Sequence, residues 1–187
     1  AHPTDDPEGQ IGIPVHCLLR KVLQCEDFGQ ALSLVFALPR CASACLTIAQ
    51  QPVNEKPRAV SLELTPSAVG HLRGVRWTEG EAVLAHTNHF ITPALSLATK
   101  GKEGPSSLNR LHQALAGVQK LAAKLPDPAA RVRKVLASRK GLPYCISRAG
   151  EADSHTLAGV VMDLTKNEMW LVPGAPHAGT WVKLPGV

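Results

Sequence analysis

Aromatic residues are scarce in this chain: three Phe, three Trp and one Tyr among 187 residues. A surface that stacks single-stranded bases interleaves several aromatics with its cations, so nucleic acid is not an expected partner. Long apolar runs are also missing. The longest, near residues 31–38, has the length of a core helix and falls well short of the roughly 20 residues that span a bilayer, so no membrane partner is expected. No Gly-rich phosphate loop occurs. The five cysteines are an odd number without the spacing of a disulfide framework, which fits reduced thiols in a reducing compartment. No secretory signal is visible, although the chain begins at Ala1 and not at Met; the expected location is intracellular, in the cytoplasm.

What is present is globular composition, with 44% hydrophobic and 19% charged residues. No repeat and no dividing linker is visible, so residues 1–187 read as one domain behind a polar lead at 1–11. The net charge of +5 is unevenly spread. Ten Lys and Arg fall between Lys100 and Lys140, opposed only by Glu103 and Asp127. Such a stretch is a solvated helical face, or else a site for polyanions or a phosphorylated ligand.

Helical spacing of Val15, Leu18, Leu19, Val22 and Leu23 behind Pro14 predicts a first helix. Asp27 and Gln30 form a capping pair for a second helix, which Pro39 ends. Strands are predicted at 44–50, 58–65, 69–77 and 82–87, joined by short turns as an antiparallel meander. Alternation of Val60, Leu62 and Leu64 with Ser61, Glu63 and Thr65 marks the second as half-buried. A long helix from about 106, with Leu108, Leu111, Leu115, Val118 and Leu121 as its buried stripe, leads to another that runs to about 138. Strands at 144–148, 156–164, 168–172 and 180–184 complete an α+β pattern, with a hairpin around Asn167.

The stretch from Leu84 to Phe90 carries the chemistry. Its His86-Thr87-Asn88-His89 cluster stands at the mouth of a predicted strand. An Asn there offers amide N–H donors on a short stem and suits an oxyanion. The plainer alternative is a turn-closing Asn between two surface histidines. A third option pairs His86 and His89 with Cys41 and Cys45 as a zinc module, although zinc knuckles are usually tighter.

Several motifs occur in order: Gly12-Ile13-Pro14-Val15-His16 at a helix start, Val60-Ser61-Leu62-Glu63-Leu64-Thr65-Pro66, and His86-Thr87-Asn88-His89. Ser107-Leu108-Asn109-Arg110 on a helix, Leu142-Pro143-Tyr144-Cys145-Ile146-Ser147-Arg148, and Thr156 leading a strand follow. This succession resembles the penicillin (isopenicillin-N) acyltransferase family of cysteine N-terminal-nucleophile (Ntn) hydrolases, from about Gly12 onward. The resemblance implies a four-layer αββα sandwich of antiparallel sheets. It also implies a precursor that cleaves itself to expose an N-terminal Cys, which carries an acyl group from an amide or thioester to an amine or water. By position, Asn88 is the implied oxyanion donor and Arg148 the cation beside the nucleophile. His86, His89, Ser107, Arg110 and Ser147 are implied on the substrate side. Ser147 and Cys145 stand where relatives carry Cys and Ser.

The family nucleophile lies upstream of the Gly-Ile-Pro helix, and none of the five cysteines fits that place; no Gly-Cys pair occurs. The expectation is therefore a C-terminal portion of such an enzyme, inactive alone, whose partner is the missing N-terminal portion. A small-molecule amide or thioester is the expected substrate. No cofactor is expected, with acyl-CoA entering only as a substrate. Hydrolysis of β-alanyl amines is the alternative within the family, and a basic polyanion-binding or zinc-binding module is the alternative outside it.

Overall fold

Pro14, with φ at −57°, stands at the N-terminal end of α1 (Val15–Val22), where a missing N–H costs nothing. The computed structural model describes residues 11–72, 75–78, 81–98, 104–150 and 154–185. Although no linker interrupts the sequence, the chain divides into two compact units, Ala1–Glu103 and Gly104–Val187; each is described by itself.

In the first unit α1 is followed by α2 (Phe28–Ala37). The Asp27 carboxylate accepts the Gln30 N–H at 2.8 Å, and the Gln30 side chain accepts the Glu26 N–H at 2.7 Å. The first bond satisfies a first-turn donor, as the capping pair predicts, and the second ties the residue before the cap back to the helix. The strands β1 (Ala44–Gln50), β2 (Arg58–Leu64) and β3 (Val69–Leu72) form an antiparallel meander in that order. Pleating sends Leu46, Ile48, Leu62 and Leu64 to one face, where they pack with Leu18, Ala31 and Val35 of the two helices. This is the core of the unit.

The opposite face of the same sheet is polar. Cys45 stands opposite Glu63, and Thr47 opposite Ser61, their hydroxyl oxygens 2.6 Å apart. Ser61 and Glu63 are nevertheless fully buried. The half-buried strand predicted at 58–65 is thus covered on both sides over its last four residues. The predicted strand at 69–77 is also divided: β3 ends at Leu72, and β4 (Val75–Thr78) pairs with β5 (Glu81–Val83) in a separate two-stranded sheet. Strand structure stops at Val83, short of the predicted 87, and α3 (Pro93–Ala98) follows the polar cluster.

The second unit opens with α4 (Pro105–Ala122) and α5 (Pro128–Leu136), the latter capped by Asp127, which accepts the Ala130 N–H at 3.1 Å. In α4 the most deeply buried side chains are Ser107 and Gln113, whereas Leu108 of the predicted stripe is exposed. The strands β6 (Ala158–Asp163), β7 (Glu168–Pro173) and β8 (Val182–Leu184) form a second antiparallel meander. Asn167 at the β6–β7 turn has φ +53°, the left-handed conformation that Asn tolerates. One face of this sheet carries Val161 and Trp170, with the Arg133 guanidinium of α5 4.4 Å from the indole centroid. The other face aligns Val160, Leu171 and Val182 in one row and Met162, Met169 and Leu184 in the next. Val160, Met162 and Val182 are exposed.

The basic stretch is less uniform than its composition implies. Lys120, Lys124, Lys134, Arg139 and Lys140 are exposed, but Arg131 is buried and Arg133 lies on Trp170. Lys100 and Lys102 lie outside the described residues.

Candidate functional site

Glu63 is the anchor of the first unit's polar face. Its carboxylate accepts hydrogen bonds from His86 Nε2 (2.8 Å), Ile91 N (2.5 Å), Thr92 N (2.9 Å) and Thr92 Oγ1 (2.5 Å). Burial alone would push this carboxyl up, but the bonds from His86, Thr92 and Ile91 outweigh it and bring the pKa down to about 2. Glu63 is therefore ionised at neutral pH although fully buried. Burial likewise works against a charge on His86, but its hydrogen bonds with Cys45 and Glu63 prevail and raise the pKa to about 9. A carboxylate and an imidazolium face each other there.

The pair determines how the His86–Thr92 loop is held. One end is tied to Glu63 through the His86 ring, the other through the amides of Ile91 and Thr92. Phe90 is buried between these anchors. Asn88 is exposed at the middle of the loop, and Thr87 Oγ1 lies 3.2 Å from His89 Nδ1. Asn88 thus belongs to a loop fastened on both sides to one carboxylate, and not to a strand mouth. Among the described residues no group of three His, Cys, Asp or Glu is arranged to hold a metal ion. Of the zinc-module residues, His86 engages Glu63 and Cys45, while the Cys41 thiol points to the Ile13 carbonyl at 3.5 Å.

Gly70 makes room for this arrangement. It pairs with Glu63 across β2 and β3, and a Cβ there would stand 2.4 Å from Thr92 Oγ1. Gly70→Ala is expected to displace Thr92, weaken its two bonds to Glu63 and lower stability by about 1–3 kcal/mol. Denaturant titration of the variant checks this; an unchanged midpoint would show that Thr92 does not need the space.

In the second unit the segment predicted as a strand at 144–148 is irregular, with bends and no strand. Its backbone groups are engaged elsewhere: Asn109 Nδ2 donates to Gly141 O (3.3 Å) and Tyr144 O (3.0 Å), and Ser147 N to Ser138 O (3.0 Å). The Ser147 hydroxyl is fully buried, 2.8 Å from His177 Nδ1, and accepts the His177 N–H at 3.1 Å. Arg148 donates its N–H to Thr156 Oγ1 at 3.0 Å, and the Thr156 N–H returns to the Arg148 carbonyl at 2.9 Å. Arg148 Nε is buried without a hydrogen-bond partner among the described residues. Arg110, whose Nε donates to Ser106 Oγ at 3.3 Å, is pulled below its usual pKa by burial and then by the charge of Arg148. Ser107 is buried beside it on α4. The structure therefore groups Arg110 with Arg148 in one unit, and His86 with Glu63 and Cys45 in the other.

Glu63, Thr92 and Cys45 were not singled out as a group by the sequence. A period-2 pattern places Glu63 on the polar side of β2, and nothing in that pattern says the polar side is covered. The available signal was a carboxylate flanked by Leu62 and Leu64, with a His cluster downstream.

Helices laid on antiparallel sheets place the chain in the α+β class, and the anchored His-Thr-Asn-His loop gives it a polar centre. The model of the family described as acyl-coenzyme A:6-aminopenicillanic acid acyl-transferase matches residues 6–178, and the chain belongs to that family. An acyltransferase- or hydrolase-type function goes with that membership. No curated protein matches the chain. No helix among the described residues is long and apolar enough to cross a membrane.

Proposed function

We propose that residues 1–187 contribute an oxyanion donor, Asn88, and a positive field, Arg148 with Arg110, to an acyltransferase or amidohydrolase of the four-layer Ntn type. The acyl group passes from a small amide or thioester, acyl-CoA among the candidates, to an amine or water through a cysteine acyl-enzyme. Hydrolysis of a β-alanyl amine is the same chemistry with water as acceptor. The observation that supports this reading most is the double fastening of the Asn88 loop to Glu63. A donor that stabilises an oxyanion must be held before charge develops, because reorganising it during reaction consumes the gain. His86 holds that loop, and His89, Ser107 and Ser147 are proposed to support the substrate side.

None of the five cysteines stands in the family nucleophile's context, so this polypeptide alone is expected to give no turnover of a chromogenic penicillin or a β-alanyl anilide. Turnover by the purified chain would overturn that expectation. In a polypeptide that also carries the nucleophile, Asn88→Ala is expected to lower kcat by about 10²–10³ with KM little changed. An unchanged kcat would remove Asn88 from the oxyanion role.

A further inference from the structure

Cys45 is half-buried on β1, directly opposite Glu63 on β2. Cross-strand partners present their side chains on one face, with Cβ atoms about 4.5–5.5 Å apart. His86 bridges the two: its Nε2 lies 2.8 Å from Glu63 Oε1, and the ring is hydrogen-bonded to the Cys45 side chain. Four donors fix the carboxylate, so it holds the ring in one orientation. Thiol, imidazole and carboxylate thus stand in the order of a nucleophile, its proton carrier and the group that orients the carrier.

We propose that Cys45, His86 and Glu63 form a nucleophilic thiol site that accepts an acyl group from small thioesters. The Cys45 sulfur attacks the carbonyl carbon, a new C–S bond forms to Sγ, and the C–S bond to the leaving thiolate breaks. The His86 imidazolium gives a proton to the departing sulfur and takes the Cys45 thiol proton in its place. One thioester replaces another, so the step requires no oxidant, reductant or further reactant. A thiolate leaves far more readily than an amide nitrogen, which favours thioesters over amides. Glu63 acts through His86 and is a positioning residue. The high pKa of His86 agrees with these roles, because at pH 7 the ring carries the proton that the leaving group takes. The site uses neither Asn88 nor Arg148, and its readout is one acyl group retained per chain, so it stands or falls separately from the turnover expected above.

The test is incubation of the whole chain with S-phenyl thioacetate, with acetylated cysteines located by peptide mass mapping. Cys17 is exposed and Cys145 fully buried, which makes them internal standards for an ordinary thiol and for loss of folding. Cys45, although less exposed, is expected to be acetylated at least about tenfold faster than Cys17, and His86→Gln to slow Cys45 by roughly 10²-fold while leaving Cys17 unchanged. Glu63→Gln should fall between. If a variant unfolds, Cys145 takes label, and the wild-type ratio then decides alone. Acetylation of Cys45 no faster than that of Cys17, or a ratio indifferent to His86→Gln in folded protein, overturns the proposal.

Discussion

Glu63→Ala is expected to lower the unfolding free energy by about 3–5 kcal/mol, the range for removing one partner of a buried ion pair. The substitution leaves the ring N–H of His86, the amides of Ile91 and Thr92 and the Thr92 hydroxyl without their acceptor. Each is held at a place that water does not freely reach, so the cost exceeds that of the lost bonds. A glutamate on the open side of a strand would behave otherwise, with an effect within about 0.5 kcal/mol. Urea titration of wild type and variant separates these outcomes. A shift of a few tenths of a kcal/mol would mean that the Glu63 cluster does not hold the sheet to its covering loop.

The second large effect is a stability profile with two flanks. Glu63 has its pKa depressed from 4.5 to about 2, so its contribution is present above pH 4.5 and is lost as the pH falls toward 2. His86 has its pKa raised from 6.5 to about 9, so its contribution is complete below pH 6.5 and is lost as the pH rises through 9. The pair therefore stabilises the fold most between about pH 4.5 and 6.5. Thermal midpoints measured from about pH 2 to about pH 9 should form a plateau there, falling on both sides. Glu63→Ala should flatten both flanks at once, since each group's shift depends in part on the other. Parallel wild-type and variant profiles would show that other groups govern the pH response.

These effects rest on contacts that local sequence rules reach only in part. Asp27 and Gln30 cap α2 as their spacing implies, and β1 runs over the predicted residues, because caps and alternation are decided by near neighbours. Residues 144–148 have the composition of a strand but are bent by partners from far away, Asn109 on α4 and the carbonyl of Ser138. Residues 69–77 look continuous, yet Val75 pairs with Val83 and leaves the sheet of β2. The His86-Thr87-Asn88-His89 cluster was legible as a place of chemistry from residue types alone. Its fastening to Glu63 was not, since 23 residues separate Glu63 from His86 and only the folded chain makes them neighbours.

The sheet of the second unit is two-sided in a way that bears on handling. Behind it stand Trp170 and Arg133; in front are two rows of aliphatic and thioether groups, with Met162 and Val182 more than half exposed. A panel of that kind is expected to adhere to its own copies as the solution is concentrated. Apolar contacts between copies weaken on cooling, so purified material is expected to stay dispersed to a higher concentration in the cold or in mild detergent.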